Sequence, residues 1–402
     1  MVRKPRRDAS ATIIPPVASR IPAIDGRLRF LPGKNKRPLI NLDKEHPDAA
    51  LTAAIDLDAA EHVLVLNCGD GVVGIVLAAL NPTAAVVLHD ANLAETNLAR
   101  QNVDLNARVV PNVRVVTGQD QDQDLHRAIQ VARVVFCPDR SMSLNMIATT
   151  MAFGRSVLRQ PGGRFSLITH KRIGGLRHEA MLSAEFGVET VLIDRGRGGY
   201  LLFEVICDVN DRTDAPPTLR RPIGFDVLGR HFDVETEPSL FSKDDLDEGT
   251  RLLLERVDLS SFTRALDVGC GWGAIGLVAA TVNGAGRVTM LDVDTRAVHL
   301  AMDNARALGL GERVEAIATA DVRAIPGTFD LILSNPPFHA DRETLIGLFS
   351  AASDKLAAGG SVFLVVERTY VAKFEHILAR AFGRPATIHA ARGQFTILTL
   401  RR

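Results

Sequence analysis

Ala265-Leu266-Asp267-Val268-Gly269-Cys270-Gly271-Trp272-Gly273-Ala274-Ile275-Gly276 reads as an apolar strand, a glycine turn and the first turn of a helix. Glycines in such a turn permit backbone angles closed to other residues and let a ligand approach the main chain. The pattern occurs twice. Val63-Leu64-Val65-Leu66-Asn67-Cys68-Gly69-Asp70-Gly71-Val72-Val73-Gly74 has the same form, and aligning Cys68 with Cys270 sets a shift of 202 residues. Gly69, Gly71 and Gly74 then fall on Gly271, Gly273 and Gly276, and Asp90 falls on Asp292 without a gap. Farther on, Pro161-Gly162-Gly163 resembles Ala358-Gly359-Gly360, and Arg197-Gly198-Gly199-Tyr200 resembles Arg392-Gly393-Gln394-Phe395. Matches in one order at a nearly constant offset indicate duplication.

Around each glycine turn, short apolar strands alternate with Ala/Leu-rich helical stretches. In the second half the strands are expected near 264–269, 287–292, 312–318, 329–334, 361–366, 385–390 and 394–400. That alternation implies βαβ units and a mainly parallel sheet covered on both faces. The last two strands are too close for a helical crossover and should be antiparallel. The chain is therefore read as α/β, with two tandem Rossmann-like domains, each a mainly parallel seven-stranded sheet. A basic segment over 1–44 precedes a first domain at 45–210, a linker at 211–222 and a second domain at 223–402. The linker carries Pro216-Pro217, which continues neither a helix nor a central strand.

Composition narrows the function classes. The chain has 402 residues, 46% of them hydrophobic and 23% charged, enough for real cores. No apolar run approaches the roughly 20 residues that span a bilayer, and no signal peptide is evident at the start. Cys68, Cys137, Cys207 and Cys270 are far apart, which suggests neither a zinc site nor a disulfide framework. A cytoplasmic protein without membrane or metal is the expectation, as a monomer. Net charge is zero, but residues 1–44 hold eleven Lys or Arg against three Asp, a local charge of +8 that could meet a phosphate backbone or simply stay solvated.

Asp267 ends the strand before the turn and Asp292 ends the next strand, 25 residues on. An acid about 20 residues past the turn accepts hydrogen bonds from ribose hydroxyls. The glycines read Gly-x-Gly-x-Gly-x-x-Gly behind an acid, which resembles motif I of class I S-adenosylmethionine methyltransferases. A cofactor with a sulfonium and an amino group suits an acidic turn better than a pyrophosphate does. Asp321, after the third strand, has two readings: contact with the adenine amine, as that superfamily often has it, or a helix N-cap.

Asp330-Leu331-Ile332-Leu333-Ser334-Asn335-Pro336-Pro337-Phe338-His339 is the most specific string in the chain. An apolar strand ends abruptly in Asn-Pro-Pro-aromatic. Tandem proline fixes the backbone, so the Asn335 amide oxygen and the Pro336 carbonyl can accept hydrogen bonds from one amine. The lone pair of a planar exocyclic amine is delocalised into its ring; two acceptors on its hydrogens pyramidalise it and aim it at a methyl donor. Phe338 would stack on the base. Asn335, Pro336, Pro337 and Phe338 are thus the expected catalytic residues. His339 suits a loop-shaping or substrate-contact role better than that of a base.

The second half resembles the rRNA guanine-N2 methyltransferases of the RsmC/RlmG type. The residues that carry this are Leu240-Phe241-Ser242-Lys243-Asp244-Asp245-Leu246-Asp247-Glu248-Gly249-Thr250, motif I, and Asn335-Pro336-Pro337-Phe338-His339. The resemblance implies S-adenosyl-L-methionine as cofactor, ribosomal RNA or a ribosomal subunit as partner, and a degenerate methyltransferase-like domain before the active one. It places Phe241, Ser242 and Asp247 near the methionine part of the cofactor, with Asp267, Gly269, Gly271, Gly273, Asp292, Asp321 and Asn335 completing the set. The target it implies is a guanine N2 of rRNA, most simply in the small subunit. In the first half Val65 stands where the second has Asp267, and Cys137-Pro138-Asp139-Arg140 stands where it has Asn335 through Phe338. That half is expected to dock RNA and support its partner, with Lys171, Arg172, Arg195 and Arg197 either as candidates for phosphate contact or as an ordinary solvated surface; retained Asp90 leaves weak cofactor binding open. The motif alone also admits adenine N6 or a glutamine amide as target. A non-catalytic RNA-binding assembly factor and a nicotinamide-dependent oxidoreductase are the other classes.

Overall fold

A computed structural model describes residues 27–31, 46–55, 57–58, 60–118, 131–140, 142–158, 161–207, 220–237, 240–242, 244–338 and 340–402. The expectations for most of 1–44, for the linker through 219, and for Lys243 and His339 lie outside the described residues.

The first half runs α1 (Pro47–Leu51), β1 (His62–Leu66), α2 (Val72–Leu80), β2 (Ala85–Asp90), α3 (Leu93–Leu105), β3 (Val113–Thr117), β4 (Arg133–Phe136), α4 (Leu144–Val157), β5 (Gly163–His170), α5 (Gly175–Phe186), β6 (Val191–Arg195) and β7 (Tyr200–Cys207). Its sheet has the order β3-β2-β1-β4-β5-β7-β6. A hairpin follows, β8 (Arg221–Val227) and β9 (Arg230–Thr236). The second half then runs α6 (Glu248–Arg256), β10 (Arg264–Val268), α7 (Ala274–Val282), β11 (Arg287–Asp292), α8 (Thr295–Ala307), β12 (Val314–Ala318), β13 (Phe329–Ser334), α9 (Arg342–Lys355), β14 (Leu356–Glu367), α10 (Val371–Phe382), β15 (Thr387–Arg392) and β16 (Phe395–Arg401). Its order, β12-β11-β10-β13-β14-β16-β15, repeats the first. In each sheet only the seventh strand in sequence runs antiparallel to its neighbours, as the short final connection requires. The fold is the expected pair of tandem α/β domains, and every expected second-half strand is present.

Two boundaries move. Arg221 and Pro222, assigned to the linker, already pair with Thr236 and Glu235 in the β8–β9 hairpin. Phe225, Val227, Phe232 and Val234 alternate inward along that hairpin and are buried against Leu246, Leu252 and Trp272. Leu228 and Gly229, both at positive φ, make its two-residue turn. At the other end, part of the basic segment is no tail. The Leu31 and Arg29 amides donate to the Asn102 and Asn106 side chains of α3, each at 2.7 Å, and Leu28 and Phe30 pack on the first core. Asn304 of α8, which falls 202 residues after Asn102, does the same for the Glu235 amide of β9 at 2.8 Å. Residues 27–31 thus hang on α3 of the first half much as β9 hangs on α8 of the second.

The domains meet through the loops that follow β2 and β11. The Leu93 amide donates to the Val293 carbonyl at 2.8 Å, and the Thr295 amide and hydroxyl both donate to the Ala91 carbonyl at 3.1 Å. Asn92 and Asp294 form an antiparallel bridge. The duplicated acid loops thus touch each other.

Candidate active site

The glycine turn joins β10 to α7. Gly269, Gly271 and Gly273 have φ of 75°, 54° and 99°, the left-handed region that favours glycine. A Cβ on Gly269 or Gly271 would find no atom within 4 Å, so this backbone faces open space. Gly276 differs: a Cβ there would sit 2.6 Å from Met290, which makes it a packing residue.

Asp267 is fully buried at the end of β10. Its Oδ2 accepts from the Gly276 amide at 2.9 Å, while Oδ1 has no hydrogen-bond partner among the described residues. Burial, with a smaller push from nearby Asp292 and against the pull of the Gly276 bond, raises its pKa to about 7. Asp292 sits where β11 ends, with Oδ2 accepting from Gly271 at 3.0 Å and Oδ1 from Asp294 at 3.0 Å. Burial also raises its pKa. Each oxygen keeps a lone pair for another donor.

Trp272 ties the turn to the segment before α6. It is buried against Phe225 of the hairpin, ring centroids 5.7 Å apart, and its indole Nε1 donates to the Ser242 carbonyl at 3.2 Å. Ser242 holds a left-handed φ of 59° and donates its hydroxyl to the Asp245 carbonyl. Its neighbour Phe241 is 63% exposed, unusual for so large an apolar side chain.

Asn335 and the prolines follow β13, which pairs with β10, so the motif stands beside the glycine turn. The Asn335 Nδ2 donates to Asp247 Oδ2 and to Thr250 Oγ1, each at 2.9 Å. Asp247 Oδ2 also caps α6 by accepting from the Thr250 amide at 2.9 Å. A carboxylate only accepts, so the amine end of the Asn335 amide must face it. Pro336 is buried and Pro337 exposed. Phe338 is half-buried, stacked on Tyr370 at 5.6 Å and edge-on to Phe374 at 6.3 Å. Lys373 bridges the loop by donating to the Phe338 and Ala340 carbonyls, each at 2.8 Å.

The expected residues thus converge, with one exception. Asp321 is exposed, and its Oδ1 caps the short helix Val322–Ala324 through the Arg323 amide at 2.9 Å, the second of its two readings. Its one tie to the rest among the described residues runs through Thr319, whose hydroxyl accepts from the Asp321 amide at 3.0 Å and whose amide donates to the Asp292 carbonyl at 3.0 Å. Thr250, Tyr370 and Lys373 were missed. Thr250 is at the third position after a capping Asp, a signal for local structure rather than for a site; Tyr370 ends the short helix Arg368–Tyr370 and Lys373 lies on α10, both more than 30 residues beyond the motif.

In the first domain Lys171, Arg172, Arg195 and Arg197 are exposed near one strand-end edge. His170 links their loops by a 2.8 Å bond from Nε2 to the Gly198 carbonyl. No group of three or more His, Cys, Asp or Glu among the described residues could hold a metal ion. No helix among them is long and apolar enough to cross a membrane.

The methyltransferase small domain family model matches residues 45–202 and again 231–399. The ribosomal RNA small subunit methyltransferase C of Pseudomonas paraeruginosa is 31% identical over 279 residues, 67% of this chain and 79% of its own length. The ribosomal RNA large subunit methyltransferase G of the same organism is 38% identical over 139 residues, 32% of this chain and 36% of its own. The solved T. thermophilus 16S rRNA guanine-N2 methyltransferase RsmC, in complex with AdoMet and guanosine, shares the fold with a TM-score of 0.73 at 20% identity, covering 94% of this chain and 99% of that one. Two matches to one family model, a shared two-sheet topology and a relative aligned across both halves make this chain a member of the methyltransferase small domain family, in its RsmC/RlmG group.

Proposed function

We propose that this protein transfers a methyl group from S-adenosylmethionine to the exocyclic N2 amine of a guanine in ribosomal RNA, most simply of the small subunit. The observation that carries this reading is the Asn335 amide. Its two hydrogens are engaged by Asp247 and Thr250, so Oδ1 is left to accept from a substrate amine beside the Pro336 carbonyl. Two acceptors on one amine localise its lone pair and orient it, which is catalysis by positioning.

The residues present fit the cofactor. S-adenosylmethionine, when bound, supplies an electrophilic methyl group on a sulfonium. Asp267 offers a buried, unpartnered oxygen beside the turn, suited to a cationic amino group or its ordering water. Asp292 offers two oxygens for ribose hydroxyls, and the open face of Gly269 and Gly271 admits a ligand against the backbone. Asp247 retains Oδ1 for the methionine end, beside Ser242 and the exposed Phe241. Asp321 lies after the neighbouring strand β12, where it can receive the adenine amine while still capping its helix. Phe338, braced from behind by Tyr370, is the platform for the target base. The first domain serves as support and RNA dock, with the Lys171, Arg172, Arg195 and Arg197 edge near phosphates. The protein works as a monomer in the cytoplasm, where its RNA partner resides.

The test is incubation with labelled cofactor and rRNA, naked and in assembled subunits, followed by mass spectrometry of the nucleosides. N2-methylguanosine is the expected product; label on adenine alone, or none, overturns the reading.

A further inference from the structure

Taking as its ground the reading that Asn335 holds the target amine, we propose that Thr250, acting with Asp247, is a positioning residue that sets the polarity of the Asn335 amide and so makes the site select amines. An asparagine amide has two ends of nearly equal size and opposite hydrogen-bonding sense. The end that faces the substrate decides whether the site accepts or donates.

Both hydrogens of the Asn335 amine are taken, by Asp247 Oδ2 and Thr250 Oγ1, each at 2.9 Å. A reversed amide would set its oxygen against a carboxylate and present two donors to a substrate that itself brings donors. The clamp is rigid. Thr250 is 5% exposed, and its amide caps onto the same Asp247 oxygen. A Cβ on Gly249, between them, would fall 2.8 Å from the Phe395 ring of β16, so the first turn of α6 is seated tightly on the sheet.

The first domain gives an independent indication. Helix α1 precedes that sheet as α6 precedes the second. Its N-cap is His46, which makes no side-chain capping bond, and its third residue is Ala49. Asp247 and Thr250 hold those positions in α6. Cys137 follows β4 as Asn335 follows β13. Both partners of Asn335 in the clamp are therefore missing where Asn335 itself is missing.

The experiment compares Thr250→Val, which keeps volume but loses the acceptor, with Thr250→Ser, which keeps it; Asn335→Ala is the benchmark. Single-turnover methylation of small ribosomal subunits is read beside S-adenosylmethionine binding by calorimetry. The valine variant should lose about tenfold or more in rate, with cofactor Kd changed less than about twofold, and serine should recover most of that loss. Should valine fold poorly, Thr250→Ala carries the same expectation. A valine or alanine variant at the wild-type rate, a cofactor affinity that falls in step with the rate, or no rescue by serine overturns the clamp. If Asn335→Ala itself stays active, the underlying reading of Asn335 fails instead.

Discussion

The two domains differ most instructively at one residue of the glycine turn. Gly269 faces open space, whereas Asn67, its counterpart 202 residues earlier, holds a φ of 53° and donates from Nδ2 to the Cys137 carbonyl at 2.9 Å. Asparagine tolerates the left-handed backbone, so the turn keeps its shape. Its side chain bolts the turn of β1 to the end of β4, where Gly269 in the second domain has no side chain to do so. Asp90 still accepts from Gly69 and Asn92, as Asp292 does from Gly271 and Asp294. The first domain has thus kept the backbone scaffolding around its acid, while Asn67, Val65 and Cys137 replace Gly269, Asp267 and Asn335. What a fold needs for itself persists where what a reaction needs does not.

The sharpest way to break this contrast is on the active side. Asn335→Ala should lower kcat by about 100-fold or more, the usual cost of removing one preorganised group at a developing charge, while cofactor binding survives. Radiolabel transfer and calorimetry on one preparation check this. Next in size is the pair of ribose acids. Asp292→Ala should weaken cofactor binding by about 100-fold, as two hydrogen bonds to a charged group would, whereas Asp90→Ala should leave it within about twofold. Calorimetry should also return one cofactor per chain; two would erase the contrast.

Smaller effects sharpen it. Asp267 keeps a proton in the fold that the unfolded chain releases, because its pKa is raised to about 7. Its contribution to stability is therefore full at low pH and is lost as pH rises toward 7. Affinity for a cationic cofactor should move oppositely, tightening by about tenfold from about pH 5.5 to 7.5 as the carboxylate forms. In Asp267→Asn the dependence should flatten; in the first domain the matching place is Val65, which carries no titratable group. Smallest is Thr295→Val, which removes the hydroxyl bond to Ala91 but keeps the backbone bridge. It should cost about 1 kcal/mol in urea unfolding. No change would mean that the domains are joined by the backbone pairs alone.

Much of this is legible in the sequence itself. The duplication, both sheets, the antiparallel last strand, the glycine turn and the Asn-Pro-Pro-Phe site follow from local signals, namely period, glycine spacing and tandem proline. The β8–β9 hairpin was missed although Phe225, Val227, Phe232 and Val234 alternate around Leu228-Gly229; the preceding prolines masked it. The place of residues 27–31 was illegible for another reason. Five residues carry little pattern, and their role comes from Asn102 and Asn106, more than 70 residues away.

The duplicated fold and the Asn-Pro-Pro-Phe motif of the second copy can be read from the sequence alone, because both reside in contiguous residues. Three features come from the tertiary structure alone: which way the Asn335 amide points, the tie from Asn67 to the end of β4, and the bracing of the two acid loops against each other. Each of these depends on hydrogen bonds between residues 70 or more positions apart, which no local pattern records.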